Sequence, residues 1–407
     1  MKYKIFEMIR QSVVLGVILT GCNLITPEPV AENNILDGPM EGLSKEQASQ
    51  FFQGDTDFGT TFTSETGLGP IFVATSCVSC HAGDGKGHPF TTLTRFGQSD
   101  TTGNKFLDQG GPQLQNRAIP GNTAEIIPPG ASFSNFLPPA VTGLGLLAAL
   151  TDDQILSNSD PDDINGDGIS GRPNYITPPD YFMTFDIHTP KNGRFIGRFG
   201  KKAAAITLQH QTVNAYNEDM GITSDFSMID PINYQVSEQS TDRVPDPEVS
   251  ASVVNNVVFY LRTLKEPLRR NADNSDVMAG EQIFNTINCV GCHISLMTTG
   301  DSDISVLANR SFAPYTDLLL HDMGPGLDDN YTEGIAETWE WRTPPLWGLG
   351  LSKDSQGGEY FLLHDGRASS IEEAIVMHGG EAEQSKLGFM ALSESEKKQI
   401  LQFLESL

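Results

Sequence analysis

Ile71-Phe72-Val73-Ala74-Thr75-Ser76-Cys77-Val78-Ser79-Cys80-His81 has a near copy at Ile283-Phe284-Asn285-Thr286-Ile287-Asn288-Cys289-Val290-Gly291-Cys292-His293, and this pair decides how the chain is read. In a Cys-x-x-Cys-His pattern, two thiols can add to the two vinyl groups of one porphyrin while the next imidazole reaches its iron. A single match is compatible with chance or with half of a zinc or redox site. Two matches, each preceded at the same distance by Ile-Phe, point to two haem c groups, one on Cys77, Cys80 and His81, the other on Cys289, Cys292 and His293.

Cysteine usage supports this. Of five cysteines, four lie in the motifs and the fifth, Cys22, closes Leu19-Thr20-Gly21-Cys22. That stretch follows Lys2, Lys4, Arg10 and an apolar run from Val13 to Leu19, the layout of a bacterial secretory signal. It resembles the lipobox of bacterial lipoproteins, which implies a signal peptide over 1–21 and a lipid anchor on Cys22. The alternative is an ordinary signal with an incidental cysteine. By the same resemblance Asn23 favours the outer membrane, facing the periplasm or the cell surface. No other stretch supplies the ~18 apolar residues of a spanning helix. Export agrees with the chemistry, since haem is attached to such motifs outside the cytoplasm. No cysteine is then left for a disulfide or a dithiol site.

The formal net charge is −26, and the segment 1–21 adds Lys2, Lys4 and Arg10 against Glu7, so its removal leaves the chain more acidic still. Nucleic acid is excluded as a partner on that ground. An acidic surface serves solubility or steers a basic electron-donor protein to a haem edge, and steering would make reduction depend on ionic strength.

At 407 residues, the chain has room for two or three domains. We read 1–21 as signal peptide, 22–45 as lipidated N-terminus and linker, 46–270 as a first haem domain and 271–407 as a second. Each haem domain closes on an apolar helical stripe: Val253, Val254, Val257, Val258, Leu261 and Leu264 in the first, Ile400, Leu401, Leu404 and Leu407 in the second. The endings Tyr260-Leu261-Arg262-Thr263-Leu264 and Phe403-Leu404-Glu405-Ser406-Leu407 suggest an internal duplication. Ser393 with Glu396 makes a capping box before the last helix, and Glu266-Pro267 stops the earlier one. The interval from Cys77 to Leu264 exceeds that from Cys289 to Leu407 by about 70 residues, so the first domain carries an insertion, between Pro138 and Thr223. The expected fold is mainly α and loop-rich: two cytochrome c-like haem domains, the N-terminal one with an insertion.

Inside the insertion, Asp163-x-Asn165-x-Asp167-Gly168-x-Ser170 alternates oxygen side chains before a glycine turn, a pattern suited to calcium. Asp163, Asn165, Asp167 and the Ile169 carbonyl would be the ligands. The twelfth loop position is Asn174 rather than glutamate, so this is not a complete EF-hand, and a solvated Asx-rich turn is the alternative.

Longer segments carry a family resemblance. Asp160-Pro161-Asp162-Asp163-Ile164-Asn165-Gly166-Asp167-Gly168-Ile169-Ser170-Gly171-Arg172-Pro173-Asn174, Gly197-Arg198-Phe199-Gly200, Asp219-Met220-Gly221-Ile222-Thr223, Glu340-Trp341-Arg342-Thr343-Pro344-Pro345-Leu346-Trp347-Gly348 and His364-Asp365-Gly366-Arg367 follow in this order. Together they resemble the di-haem oxidoreductases labelled peroxidases or thiol oxidoreductases, over roughly Gly69 to Leu407. More distantly, these resemble bacterial di-haem cytochrome c peroxidases and the di-haem enzyme that matures tryptophan tryptophylquinone.

The resemblance implies an exported oxidoreductase that relays electrons through the C-terminal haem to or from a reactive N-terminal haem. Its partners would be a small cytochrome or cupredoxin and an oxidant such as hydrogen peroxide. His378, four residues after Ala374, stands where the peroxidases carry an axial methionine, so it is the expected second ligand of the C-terminal iron, with Met377 its rival. On the far side of the N-terminal haem the resemblance points to Gln115, Arg117 and Glu125, residues able to move a proton and stabilise a departing oxygen. His210 and Met220 are the alternatives for closing that face. Two departures stand out: Ala148-Ala149 where the family's pattern has Glu-Ala, and Lys201-Lys202-Ala203 where it has Trp-Lys-Ala. The alternatives to a peroxidase are a non-enzymatic di-haem electron carrier and a haem enzyme that oxidises protein side chains.

Overall fold

Four long helices carry the fold, in two crossed pairs. The computed structural model describes residues 36–238 and 240–407, so the segment 1–21, Cys22 and most of the proposed linker lie outside the described residues. Helix α1 (Lys45–Phe58) packs on α2 (Ala251–Thr263), and α3 (Ser275–Thr286) packs on α4 (Glu394–Ser406). Local chemistry sets three of the starts. Ser44 with Gln47 caps α1 reciprocally, Ser393 with Glu396 does the same for α4, and Asn274 accepts from the amides of Asp276 and Val277 ahead of α3.

The two crossings are built alike. A Cβ on Gly54 would strike the Asn256 carbonyl and stand 2.7 Å from Tyr260 Cβ; on Gly280 it would strike the Gln399 carbonyl and stand 2.8 Å from Phe403 Cβ. Glycine alone leaves room for this approach, so both pairs dock backbone to backbone beside an aromatic ring. Tyr260 and Phe403 are the matching residues of the two helix endings.

The Ile-Phe repeat has a different fate. Ile71–Phe72 is a short strand paired with Arg117–Ala118, whereas Ile283 and Phe284 lie in α3. The spatial counterpart of Phe284 is Phe58 on α1. The Phe58 ring sits 6.3 Å from that of His81, and the Phe284 ring 6.3 Å from that of His293.

One core gathers Phe51, Phe58, Leu146, Leu208, Val254 and Val257 around α1 and α2; another gathers Val277, Phe284, Phe389, Ile400 and Phe403 around α3 and α4. Among the described residues there are ten α-helices and five two-stranded sheets, most of them short, joined by long loops. Residues 36–44 lie along the end of α2, where the Met40 amide donates to the Thr263 carbonyl at 2.8 Å.

The insertion packs on α2 through Leu144–Ala148 and Leu208–Asn214. Its buried Arg198 meets Asp152 at 2.6 Å and donates to the carbonyls of Ala148 and Leu150, which fixes the turn after Leu144–Ala148. Arg172 and Leu320 exchange backbone hydrogen bonds at 2.8 and 3.0 Å, tying the insertion to the second half.

Candidate active site

Each Cys-x-x-Cys-His motif folds the same way. The three residues from Cys77 and from Cys289 form a single tight turn, after which the amides of His81 and His293 return to the carbonyls of Cys77 and Cys289 at 3.0 and 3.1 Å. The turn places both sulfurs and the imidazole along one wall. None of the four described cysteines is in a disulfide. Burial pushes the thiols of Cys77 and Cys289 up to about 12, so they stay protonated until something consumes them.

The histidines are aimed by their second nitrogens. Nδ1 of His81 is 2.8 Å from the Pro139 carbonyl and Nδ1 of His293 is 2.9 Å from the Tyr315 carbonyl. His378, just past the helix Ile371–Val376, repeats the device, with Nδ1 2.7 Å from the Ala374 carbonyl. A carbonyl at Nδ1 fixes the tautomer and turns Nε2 outward as a free lone pair, the usual arrangement of an imidazole that binds a metal. Burial holds His81 and His293 down to about 4, so both are neutral and ready to coordinate.

One continuous cavity joins these groups. Cys77, Cys80 and His81 line one part, and Cys289, Cys292, His293 and His378 line another. His378 stands close enough to His293 to lower its basicity.

His321 also lines the cavity, but both its nitrogens are taken, by Asp317 at 2.7 Å and Glu381 at 2.6 Å. Although burial opposes it, those carboxylates hold it protonated, 3.6 Å from the Cys292 sulfur. His364 stacks on Trp341 at 3.7 Å with Nε2 on Asp329, which Arg367 also meets. Lys202 covers Trp341 with its ammonium 3.9 Å from the ring centroid. His321 is therefore held at both nitrogens and is not a free ligand, whereas His364, which also lines the cavity, is held at Nε2 alone.

The part of the cavity near His81 is walled by Leu208–Asn214 and the wide turn Ala215–Asp219. Met220, Glu218 and Asp219 reach its surface; His210 does not, and its Nδ1 instead accepts from the Ile206 amide at 3.3 Å. Arg95 lines the same wall and pairs with Glu218 at 2.9 Å.

Glu125 and Gln115 are buried together outside the cavity lining. The Glu125 carboxylate accepts from the Gln115 amide at 2.9 Å, and the Gln115 side chain donates to the Glu218 carbonyl at 3.0 Å. Burial pushes Glu125 up to about 7, and burial followed by the charge of Glu218 does the same to Asp219. Arg117 is exposed on its short strand. Sequence reasoning missed Arg95, Glu218 and Asp219; Asp219 lay inside a quoted segment, but the Arg95–Glu218 pair spans 123 positions and leaves no local pattern.

The Asp163 loop is folded on itself. Asp163 accepts from the Gly168 amide, Asn165 from Asp167, and Asp167 from Ile169, at 3.1, 2.9 and 2.9 Å. Ile169 also lines the cavity, against Gly291 of the second motif.

Lys86, Lys201 and Arg342 line the cavity as well. Burial lowers all three, to about 8, 7 and 10, and Lys201 is lowered further by the charges of Lys86 and Arg342. Among the described residues neither lysine ammonium has a hydrogen-bonded carboxylate. Haem brings two propionate carboxylates, so two lysines with no hydrogen-bonded carboxylate, beside thiols and free imidazole nitrogens, fit the group that the motifs call for.

Among curated proteins no match is found. Two of the eight solved chains that resemble this one do so at 15% identity, each over 94% of it. Hydrazine synthase of Kuenenia stuttgartiensis is covered over 96% of its own chain with a TM-score of 0.37, and a MauG-like protein associated with microbial copper homeostasis over 94% with a TM-score of 0.40. Residues 137–407 match the sequence profile of the family described as "Di-haem oxidoreductase, putative peroxidase". With two thirds of its length matched, the chain belongs to the di-haem oxidoreductase family.

Proposed function

We propose that the protein is an exported di-haem c peroxidase whose two irons have unequal jobs. Cys77 with Cys80 and Cys289 with Cys292 would hold the haems by thioether bonds, with His81 and His293 as proximal ligands. The observation that carries the reading is the asymmetry of the cavity. A second outward-turned imidazole, His378, stands near His293 in the cavity, whereas the wall near His81 presents Glu218, Asp219 and Met220. Haem supplies an iron that exchanges single electrons and, where one face is free, takes a small oxidant.

The chain's own residues supply the rest. Reducing hydrogen peroxide to two waters consumes two electrons and two protons. Asp219, kept protonated up to about pH 7 by burial, is placed to give a proton at the cavity wall. Glu125 and Gln115 stand one step behind, with Gln115 on the Glu218 carbonyl as the link. Arg95, held between Glu218 and Glu333, is a cation at that wall. Arg117 faces solvent and opposes the rise in the Cys80 pKa only weakly, after burial and Asp219 have set it. His378 and His293 would close the second iron and restrict it to electron transfer with a small donor protein of the cytochrome or cupredoxin type.

Lipid on Cys22 would anchor this body to the outer membrane. Among the described residues no helix is long and apolar enough to cross a membrane. The mass of the mature N-terminal peptide tests the anchor, and an unmodified Cys22 would remove it.

For the chemistry, the fully reduced protein should be mixed anaerobically with peroxide. Reoxidation of both irons by one equivalent supports the peroxidase; no reoxidation removes it. Met220 supports a second reading, a di-haem electron carrier, because its buried side chain lies at the wall where a thioether would close the first iron. In that case Met220→Ala should create peroxide reactivity that the unaltered protein lacks.

A further inference from the structure

Away from the haem cavity, four carboxylates converge between residues 230 and 248. One oxygen each of Asp230, Asp246 and Glu248 lies within 4.8 Å of the other two. Asp242 joins them. It is 3% exposed, its Oδ1 accepts from the Val244 amide at 2.9 Å, and its carboxyl group comes within hydrogen-bonding range of Glu248.

The remaining oxygens set this cluster apart from an ordinary acidic patch. Asp242 Oδ2, Asp230 Oδ1 and Glu248 Oε1 are buried with no hydrogen-bond partner. Glu248 Oε2 accepts from the amide and hydroxyl of Thr223, both at 2.7 Å, and Asp246 Oδ1 lies 2.8 Å from that hydroxyl. No cation is among the groups that act on Asp230, Asp242 or Glu248. Buried carboxylate oxygens left unpaired are costly, and several in one place repel one another. Burial and that repulsion push Asp230 up to about 6 and Glu248 up to about 7.

A donor set of oxygen alone selects a hard cation. Four carboxylates exceed what magnesium, which keeps much of its water, draws from a protein, but they suit the six to eight oxygens of calcium. We propose that Asp230, Asp242, Asp246 and Glu248 form a calcium site, separate from the Asp163 loop. Its position gives it a purpose. Thr223, bonded to two of the four, follows Asp219 and Met220 of the cavity wall by a few residues, and the Val249 amide returns to the Thr223 carbonyl at 3.2 Å. The ion would staple Asp230 and residues 242–248 to the segment that walls the first haem site.

Calcium uptake by the chelator-treated di-haem protein, followed by titration calorimetry and by thermal melting, tests this. The unaltered protein should bind calcium with a rise in Tm. D163N/D167N should keep that response. D230N/E248Q should lose one equivalent and the Tm response, yet melt in chelator no lower than the unaltered protein, because its repulsion is gone. Equal uptake by D230N/E248Q and the unaltered protein, or no uptake by either, would overturn the site in favour of a proton shared between Asp242 and Glu248. Should D230N/E248Q fail to fold, D246N, at the exposed carboxylate, should weaken calcium affinity about tenfold at unchanged haem content. Unchanged affinity would overturn the proposal equally.

Discussion

The two halves of the molecule share a scaffold and differ in what faces the imidazole. In each, a glycine lets two helices cross, an aromatic ring stands over the motif histidine, and a backbone carbonyl holds that histidine by Nδ1. Beyond that point they part. The second half offers a further imidazole and a buried imidazolium, His378 and His321; the first offers acids and a thioether. Duplication would account for the frame, and divergence of the cavity walls for the division of labour proposed above.

The largest test strikes the shared frame. Gly54→Leu and Gly280→Leu should each cost about 3 kcal/mol or more, because the new side chain meets a facing backbone carbonyl. Urea titration would show it, and a variant that one half tolerates and the other does not would break the equivalence.

The acids of the first half give the next effect. Glu125 is held up to about 7 by burial, so the folded protein keeps a proton that the unfolded chain releases near its ordinary value. Its contribution is fully present below the unfolded value and is lost as pH rises through about 7; one pKa unit is 1.36 kcal/mol, so at most about 3 kcal/mol is at stake. Glu125→Gln should flatten the dependence of stability on pH between about 4 and 7. A slope unchanged from that of the unaltered protein would show that Glu125 does not carry the proton. The same variant should slow peroxide consumption at unchanged haem content.

His378→Ala sharpens the division of labour. It should abolish the low-spin signal of the second iron and lower peroxide turnover about tenfold or more, since ligand and orientation are both lost. Full turnover would show that electrons bypass that iron. The smallest effect belongs to the cation cluster. Below about pH 7, where Lys201 carries its proton, Lys201→Met removes a positive charge from the cation cluster and should lower the potential of the nearer haem, favouring the oxidised form up to about tenfold, or ~59 mV, in a redox titration.

Much of the frame was legible in the sequence. The spacing of Cys77, Cys80 and His81 marked the motif, which folds as a single tight turn, Ser393 and Glu396 form the capping box that their spacing implies, and Tyr260 and Phe403 match in space as in sequence. The Ile-Phe repeat is not kept in the structure: it is carried by a strand in one half and a helix in the other, and the aromatic near His81 is Phe58, 23 positions upstream of it. What faces each imidazole was harder to read. His378 had a local segment to mark it, whereas Arg95, Glu218 and Lys86 come to the cavity through tertiary folding that no short pattern encodes. Lys201 appeared in the sequence as a departure from the family, and the fold turns it into part of a cation cluster.

Electron paramagnetic resonance of the ferric di-haem protein tests the unequal pair most directly. The account predicts one low-spin iron with two imidazole ligands, lost in His378→Ala, and one high-spin iron that remains. Two low-spin irons, with neither altered in His378→Ala, would contradict it.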